Sequence, residues 1–283
     1  MSETVESLKS VLLHNAPWVA LTGAGISSAS GIPTYRDHHG NWLGSNPIQH
    51  DEFIREPAKR RRYWSRSAFG WPRVARALPN VTHHALTALE RAGILSGIIT
   101  QNVDRLHQAS GAQTVVDLHG RLDRARCLNC GQYESRSAIQ ARLEKANDLP
   151  QVEDTSLRPD GDADLPEAVI NDFQVPICQH CDGALMPDVV FFGGTVPQHT
   201  VDACFDLINN AHGLIVIGTS LSVYSGYRFC RHAASHNKPL VILNQGQTRA
   251  DSLSQHRFSE APFTLLQELT AQLTSTQQEP AHG

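Results

Sequence analysis

The residues of this chain that can do chemistry fall into five clusters at the ends of short apolar runs, plus a set of paired cysteines. His119-Gly120 follows Val115–Leu118, and an imidazole placed there can serve as a base near neutral pH. Gln101-Asn102-Val103-Asp104 follows another run, and Asn102 and Asp104 can bond the hydroxyls of a sugar. Gly23-Ala24-Gly25 follows a third and leads into Ser27-Ser28-Ala29-Ser30, a small-residue segment suited to the start of a helix. Glycine lets backbone approach a phosphate, and the first N–H groups of a helix are unpaired donors with partial positive charge, so strand, turn and helix start together make a pyrophosphate cradle. The G-x-G-x-x-G pattern is not met, because Ser28 stands at the third glycine, and a plain tight turn would use the same glycines. Gly31-Ile32-Pro33 then breaks the helix. Tyr35 and Arg36 fall on the loop beyond, where an aromatic and an arginine can close over a nucleotide. Gly218-Thr219-Ser220 and Asn244-Gln245-Gly246 end two more runs and add donors suited to an adenosine. Any one cluster alone reads as ordinary loop; their convergence on one ligand is the stronger reading.

Cys127-x2-Cys130 and Cys178-x2-Cys181 are two knuckles 47 residues apart. Each presents two thiolates on a tight turn, and two knuckles complete a tetrahedral four-cysteine zinc site. The alternatives are two disulfides or free thiols, and a reducing cytoplasm disfavours the former. Four protein ligands leave no open position, so such a zinc is structural. His180, inside the second knuckle, reads as a knuckle residue, and Cys204 and Cys230, alone in apolar patterns, read as buried bystanders.

These clusters need elements to hold them. The strand candidates are Val19–Thr22, Gly97–Thr100, Val115–Leu118, Val189–Phe192, Leu214–Gly218 and Leu240–Leu243, several of them continuous and β-branched, as in a parallel sheet covered on both faces. Helical patterns run over His83–Ala92, Val201–Ala211 and Phe263–Leu273, the last placing Phe263, Leu266, Leu269 and Leu273 on one face. The alternation predicts an α/β fold: a Rossmann-like, doubly wound parallel sheet, whose ligands bind beyond the carboxyl ends of the strands. A smaller domain interrupts it. Residues 38–80, with Trp42, Trp64, Trp71 and seven arginines, read as a helical insertion, and residues 122–187 as a zinc-binding insertion. That leaves 1–37, 81–121 and 188–283 to the nucleotide-binding domain.

The chain has 283 residues, 40% hydrophobic and 18% charged, with a net charge of −4, as in a soluble globular protein that binds neither nucleic acid nor membrane surfaces. No apolar run approaches the ~20 residues that span a bilayer. The acidic start MSETVESLKS is neither a secretory signal nor a transit peptide, which points to the cytoplasm. Asp160-Gly161-Asp162-Ala163-Asp164 opens like a calcium loop, but Leu165 and Asn171 stand where glycine and glutamate are needed, so it reads as a solvated loop.

GAGIS, SGIP-x-YR, TQNVD, DLHG, the paired knuckles, PDVVFFG, GTSLSV and ILNQG occur in the order found in sirtuins, and the chain resembles that family from about residue 8 to 270. Pro47–His50, Arg62–Arg66, Gly70–Pro72 and Ser222–Phe229 resemble its class II branch. The resemblance implies NAD-dependent removal of acyl groups from lysine side chains of proteins or peptides, releasing nicotinamide and O-acyl-ADP-ribose, by a monomer carrying one structural zinc. It implies that His119 is the base and that Asn102 and Asp104 hold the ribose and the nicotinamide pocket, with Gln101 and Ile26 beside them. Ala24, Tyr35 and Arg36 belong to the cofactor loop, and Phe191 and Gly193 to the acyl-lysine channel and the edge where a peptide adds as a strand. Tyr63 and Arg66, three apart on a predicted helix, have the spacing with which desuccinylating sirtuins read an acyl carboxylate; the other reading of Arg66 is a surface residue beside Arg60, Arg61 and Arg62. Thr34 stands where many sirtuins have aspartate, Ala29 where many have glutamate, and Ser222-Val223-Tyr224-Ser225 replaces the commoner ending with proline, a departure shared by class II that concerns peptide binding. Protein mono-ADP-ribosylation on the same site, an NAD-dependent oxidoreductase and an NAD-sensing module are the alternatives.

Overall fold

The computed structural model describes residues 3–14, 16–35, 47–149, 165–259 and 262–276. Its strands are β1 (Trp18–Thr22), β2 (Leu95–Thr100), β3 (Val115–Asp117), β4 (Gly120–Cys127), β5 (Tyr133–Ser135), β6 (Leu185–Val189), β7 (Gly213–Ile217), β8 (Leu240–Leu243) and β9 (His256–Phe258). Its α-helices are α1 (Glu3–His14), α2 (His50–Arg55), α3 (Pro57–Arg76), α4 (Val81–Arg91), α5 (Leu106–Ala109), α6 (Arg136–Ala146), α7 (Glu167–Asn171), α8 (Gln198–Asn210), α9 (Tyr224–Ser235) and α10 (Pro262–Thr276). Six strands form one sheet in the order β3-β2-β1-β7-β8-β9, every neighbouring pair parallel.

The continuous apolar runs are explained by burial on both faces. Trp18 and Ala20 of β1, Ile215 and Ile217 of β7 and Val241 and Leu243 of β8 pack under α1, α4 and α10. The alternate residues, Val19, Leu21, Leu214, Val216, Leu240 and Ile242, pack under α8 and α9 with Cys204, Phe229 and Cys230. Both of these cysteines are fully buried, and burial pushes their thiols up to about 12, as bystanders should be. Leu266 and Leu269 of α10 are buried with Leu265; the side chains of Phe263 and Leu273 lie outside the described residues.

A second, three-stranded antiparallel sheet, β5-β4-β6, lies apart from the first. It corrects one expectation. The run Val189–Phe192 is not a strand of the parallel sheet: β6 ends at Val189, Val190 N–H donates to the His119 carbonyl (2.8 Å), and Phe192 pairs with Gln49 as an isolated bridge. A short apolar run is the same in either kind of sheet; its partner is decided by tertiary contacts that local pattern does not carry. The parallel sheet instead gains β9 at its edge, where His256 and Arg257 are exposed and only Phe258 is buried, too weak a pattern to read.

α2, α3 and α6 share one core with this small sheet. Phe53, Tyr63, Trp64 and Ala68 meet Cys127, Ile139, Leu143, Cys178 and Leu185. Trp64 Nε1 donates to the Leu185 carbonyl (3.1 Å). Arg136, 1% exposed, lies over Trp64 and Trp71 and donates to Ser67 and Gln140. Burial lowers its guanidinium to about 10, and the aromatic faces offset part of that cost. Trp42 lies outside the described residues.

Candidate functional site

The chain leaves β1 for β2 on one side and returns to β7 on the other, so the strand order reverses between β1 and β7. A ligand crevice belongs beyond the carboxyl ends of strands at such a point. Thr22 is in register with Thr100 and Ile217, Thr100 with Asp117, and Ile217 with Leu243, so the five loops that carry the clusters start side by side.

After β1 the chain forms a seven-residue 3-10 helix, Ala24–Ser30, ended by Gly31 in the left-handed region (φ 81°). Its glycines allow two loops to touch. A Cβ on Gly25 would lie 2.8 Å from the carbonyl oxygen of Gly218, which is itself at φ 62°. Gly25 N–H donates to that carbonyl (2.9 Å), closing the turn after β1 onto the turn after β7. Ile26, 3% exposed, packs beneath Gly218. Asn80, the N-cap of α4, donates to the Ile26 carbonyl and to Ser30, which ties the 3-10 segment to the scaffold.

The pocket beside this turn is lined by Ala24, Ser27, Ile32, Tyr35, Gln101, Asn102, Val103 and Asp104 and encloses about 260 Å³ of space open to solvent. Ser27 is the residue that organises it. Its hydroxyl donates to Asp104 Oδ2 (2.7 Å) and accepts from Asn102 Nδ2 (3.0 Å). Asn102 Nδ2 also donates to the Gly23 carbonyl (3.1 Å), so the amide is fixed with Oδ1 left for another donor. Burial pushes the Asp104 carboxyl up, opposed by the Leu106 N–H and the Ser27 hydroxyl. Gln101 Nε2 donates to Thr219 Oγ1 (2.9 Å) across the two loops. Ser220 bonds Ser222, and Asn244 Nδ2 donates to the Gly246 carbonyl with Gln245 exposed between them. Arg36 lies outside the described residues.

His119 sits where β3 gives way to β4. Nδ1 is 3.0 Å from the Gln101 carbonyl and Nε2 is 2.8 Å from Ser225 Oγ. A carbonyl only accepts, so Nδ1 carries the proton and Nε2 the lone pair. Burial lowers the imidazole to about 4; the Gln101 bond raises it and Arg228 lowers it. The ring is therefore neutral at pH 7 and can accept a proton at Nε2.

Beneath lies a layer that composition does not reveal. His107 Nε2 is 2.9 Å from Thr22 Oγ1 and its ring meets His83 edge-on at 5.1 Å. Both are fully buried and held neutral, His83 down to about 4 and His107 to about 3, by burial first and by neighbouring imidazoles second. The roles of Ser27, Ser225 and His107 are missed in the sequence; each meets a partner 75 or more residues away, which no local signal announces.

Phe191 packs on Phe53 (4.9 Å) and Tyr63 (5.4 Å), and Gly193, at φ 75°, lies against Gln49. Arg66 is 4% exposed, and this overturns the surface reading: it lies with Tyr63 in the buried stretch of α3, whereas Arg61, earlier in the helix, is exposed.

The four knuckle sulfurs lie within 4.8 Å of one another, with Cys127–Cys181 at 3.5 Å and Cys130–Cys178 at 3.7 Å. Tetrahedral zinc with ~2.3 Å bonds sets its sulfurs about 3.8 Å apart. The backbone agrees: Asn129 and Cys130 N–H groups point at Cys127 Sγ, and His180 N–H at Cys178 Sγ. A Cβ on Gly183 would lie 2.9 Å from Cys127 Sγ and 3.2 Å from Cys181 Sγ, so only glycine leaves the cluster its room. His180 contributes its backbone and is not a ligand of the cluster.

A model of the Sir2 family matches residues 23–225. An NAD-dependent protein deacetylase of Bradyrhizobium diazoefficiens is 48% identical over 248 residues, covering 88% of this chain and 91% of its own. An NAD-dependent protein deacylase of Monosiga brevicollis is 43% identical, covering 89% and 83%. Among solved structures, a Sir2 complex with a p53 peptide and NAD+ superposes with a TM-score of 0.79 at 27% identity, covering 97% of this chain and all of its own.

Proposed function

The chain belongs to the Sir2 family, and from that premise we propose that it removes acyl groups from protein lysine side chains with NAD as co-substrate, releasing nicotinamide and O-acyl-ADP-ribose. One observation carries the reading: a neutral imidazole with its lone pair on Nε2 stands at the strand ends that also build the Ser27–Asn102–Asp104 pocket. NAD supplies the ribose carbon that nicotinamide leaves and the hydroxyl that carries the acyl group away. His119 accepts a proton at Nε2. Asn102, its amide NH2 already bonded, presents Oδ1 as an acceptor to a ribose hydroxyl, and Asp104 is fixed by Ser27 at the inner wall. Gly23, Ala24, Gly25, Tyr35 and Arg36 serve the phosphate side, with Gly218–Ser220 and Asn244–Gly246 on the adenosine side. The fit of the pocket rests on its fixed polar groups: the Asn102 amide, held by Gly23 and Ser27, and the Asp104 carboxylate, held by Ser27 and the Leu106 N–H.

Cys127, Cys130, Cys178 and Cys181 would hold one zinc, whose bound chemistry is a structural cross-link, since no ligand position remains open. We divide the chain into a nucleotide-binding domain (1–37, 81–121, 188–283), a helical insertion (38–80) and a zinc insertion (122–187). Among the described residues no helix is long and apolar enough to cross a membrane. We read the setting as cytoplasmic, and the net charge of −4 does not favour nucleic acid. We further read the protein as a monomer and, on its Tyr63–Arg66 helix, as a class II member.

The test is incubation with NAD and a panel of acetyl, glutaryl-type, lipoyl and biotinyl lysine peptides, read by mass spectrometry. Nicotinamide and deacylated peptide should appear in equal amounts. Formation of NADH, or a mass added to protein without deacylation, would favour the alternative chemistries. The same panel reads Arg66. Lying one turn from Tyr63, which itself contacts Phe191, it should favour long or carboxylated acyl groups. Arg66→Met should then lose that preference by about tenfold or more, the worth of one charge-assisted hydrogen bond. An unchanged ranking removes Arg66 from acyl recognition.

A further inference from the structure

The base nitrogen of His119 already has a partner that the chain itself supplies. We propose that Ser225 is a positioning residue for the base: its hydroxyl holds the Nε2 lone pair in the resting enzyme and yields it to the incoming ribose hydroxyl. The inference rests on the deacylase reading above.

With the proton on Nδ1, Nε2 can only accept, so Ser225 O–H is the donor of the 2.8 Å bond. Ser225 is the second residue of α9. Its place is set by Gly226, on which a Cβ would lie 2.9 Å from the Gln101 side chain, the same residue whose carbonyl holds Nδ1. One contact between the loop after β2 and the start of α9 therefore grips both ring nitrogens. The imidazole cannot swing, and the lone pair points in one direction before any substrate arrives, which is the preorganisation a base requires. Nε2 has a single lone pair, so a second donor must displace Ser225. A hydroxyl can also reverse. Once the proton from the ribose oxygen rests on Nε2, Ser225 Oγ can turn to accept from that N–H, where a methyl or proline carbon cannot.

A hydrogen bond donated to the neutral ring favours the neutral form and adds to what burial does. Among the described residues, Arg228, one turn further along α9, is the charged group whose field reaches the ring, and it too disfavours the cation. From the loop after β2 comes the Gln101 carbonyl, which acts the other way.

The experiment compares wild type, Ser225→Ala, Ser225→Thr and His119→Ala. Ser225→Ala should move the acid limb of kcat/KM for NAD upward by roughly 0.5–1 pH unit, the worth of one neutral hydrogen bond. It should lower kcat several-fold while leaving nicotinamide exchange near wild type. Ser225→Thr, which keeps the hydroxyl, should restore both. The titration of the His119 ring, followed by NMR on protein with isotope-labelled histidine, reads the same shift without turnover. A Ser225→Ala ring that titrates with the wild type, or a threonine variant that behaves as the alanine one, overturns the proposal. A shifted ring in a protein that deacylates nothing overturns the deacylase reading and with it the hand-over to ribose, while leaving the grip on the resting ring established.

Discussion

His119→Ala should fold, bind zinc and lose most turnover, on the order of 10²–10⁴-fold in deacylation. The fold should survive because His119 belongs to neither core of the six-stranded sheet and its ring bonds only one backbone carbonyl and one hydroxyl among the described residues. The loss should be kinetic because the imidazole is held neutral, with the burial that lowers it to about 4 keeping Nε2 ready across the neutral range. Nicotinamide exchange should outlast deacylation in the mutant, since nicotinamide departs before a base is needed. The check is parallel measurement of exchange and deacylation, with circular dichroism and metal content as controls for the fold. Deacylation at the wild-type rate would remove His119 from the role of base.

What the sequence disclosed and what it hid differ in one physical respect, the range of the contacts involved. The runs around Val19, Leu214 and Leu240 are legible because burial on both faces leaves an unbroken apolar signature within five residues. The clusters at their ends are legible because the ends of neighbouring parallel strands are brought together by the sheet itself. Val189–Phe192 misleads because its partners, His119 and Gln49, are far away in sequence. Ser27 and Ser225 are hidden for the same reason. Nothing in Gly-Ile-Ser-Ser says that one hydroxyl will join Asn102 to Asp104, and nothing in Val-Tyr-Ser-Gly says that another will meet a histidine 106 residues away. The cysteine knuckles are the exception among long-range features, because the chemistry of a metal ties their spacing to their function.

Cys127→Ser should abolish soluble folding, and removal of zinc from the wild type should do the same more slowly. Structural zinc contributes its binding free energy to folding outright. Here the loss would not stay local. Cys127 and Cys178 are each 1% exposed and belong to the same core as Phe53, Tyr63, Trp64 and Phe191. That core contains the aromatic wall proposed for the acyl-lysine channel, so freeing the four sulfurs would loosen the wall as well as the knuckles. Without the metal, the gathered thiols would have to sit in van der Waals contact with Gly183 still pressed between them, and serine at 127 offers a shorter, harder ligand than the geometry provides for. Metal analysis of purified protein should give one zinc per chain. A strong chelator should cause activity and the fluorescence of buried Trp64 to fall together, the Trp64 Nε1 bond to Leu185 reporting on the shared core. The six-stranded sheet, whose two cores contain none of the four ligands, should retain its circular dichroism longer. Well-folded, active protein with metal content near zero would rule the site out.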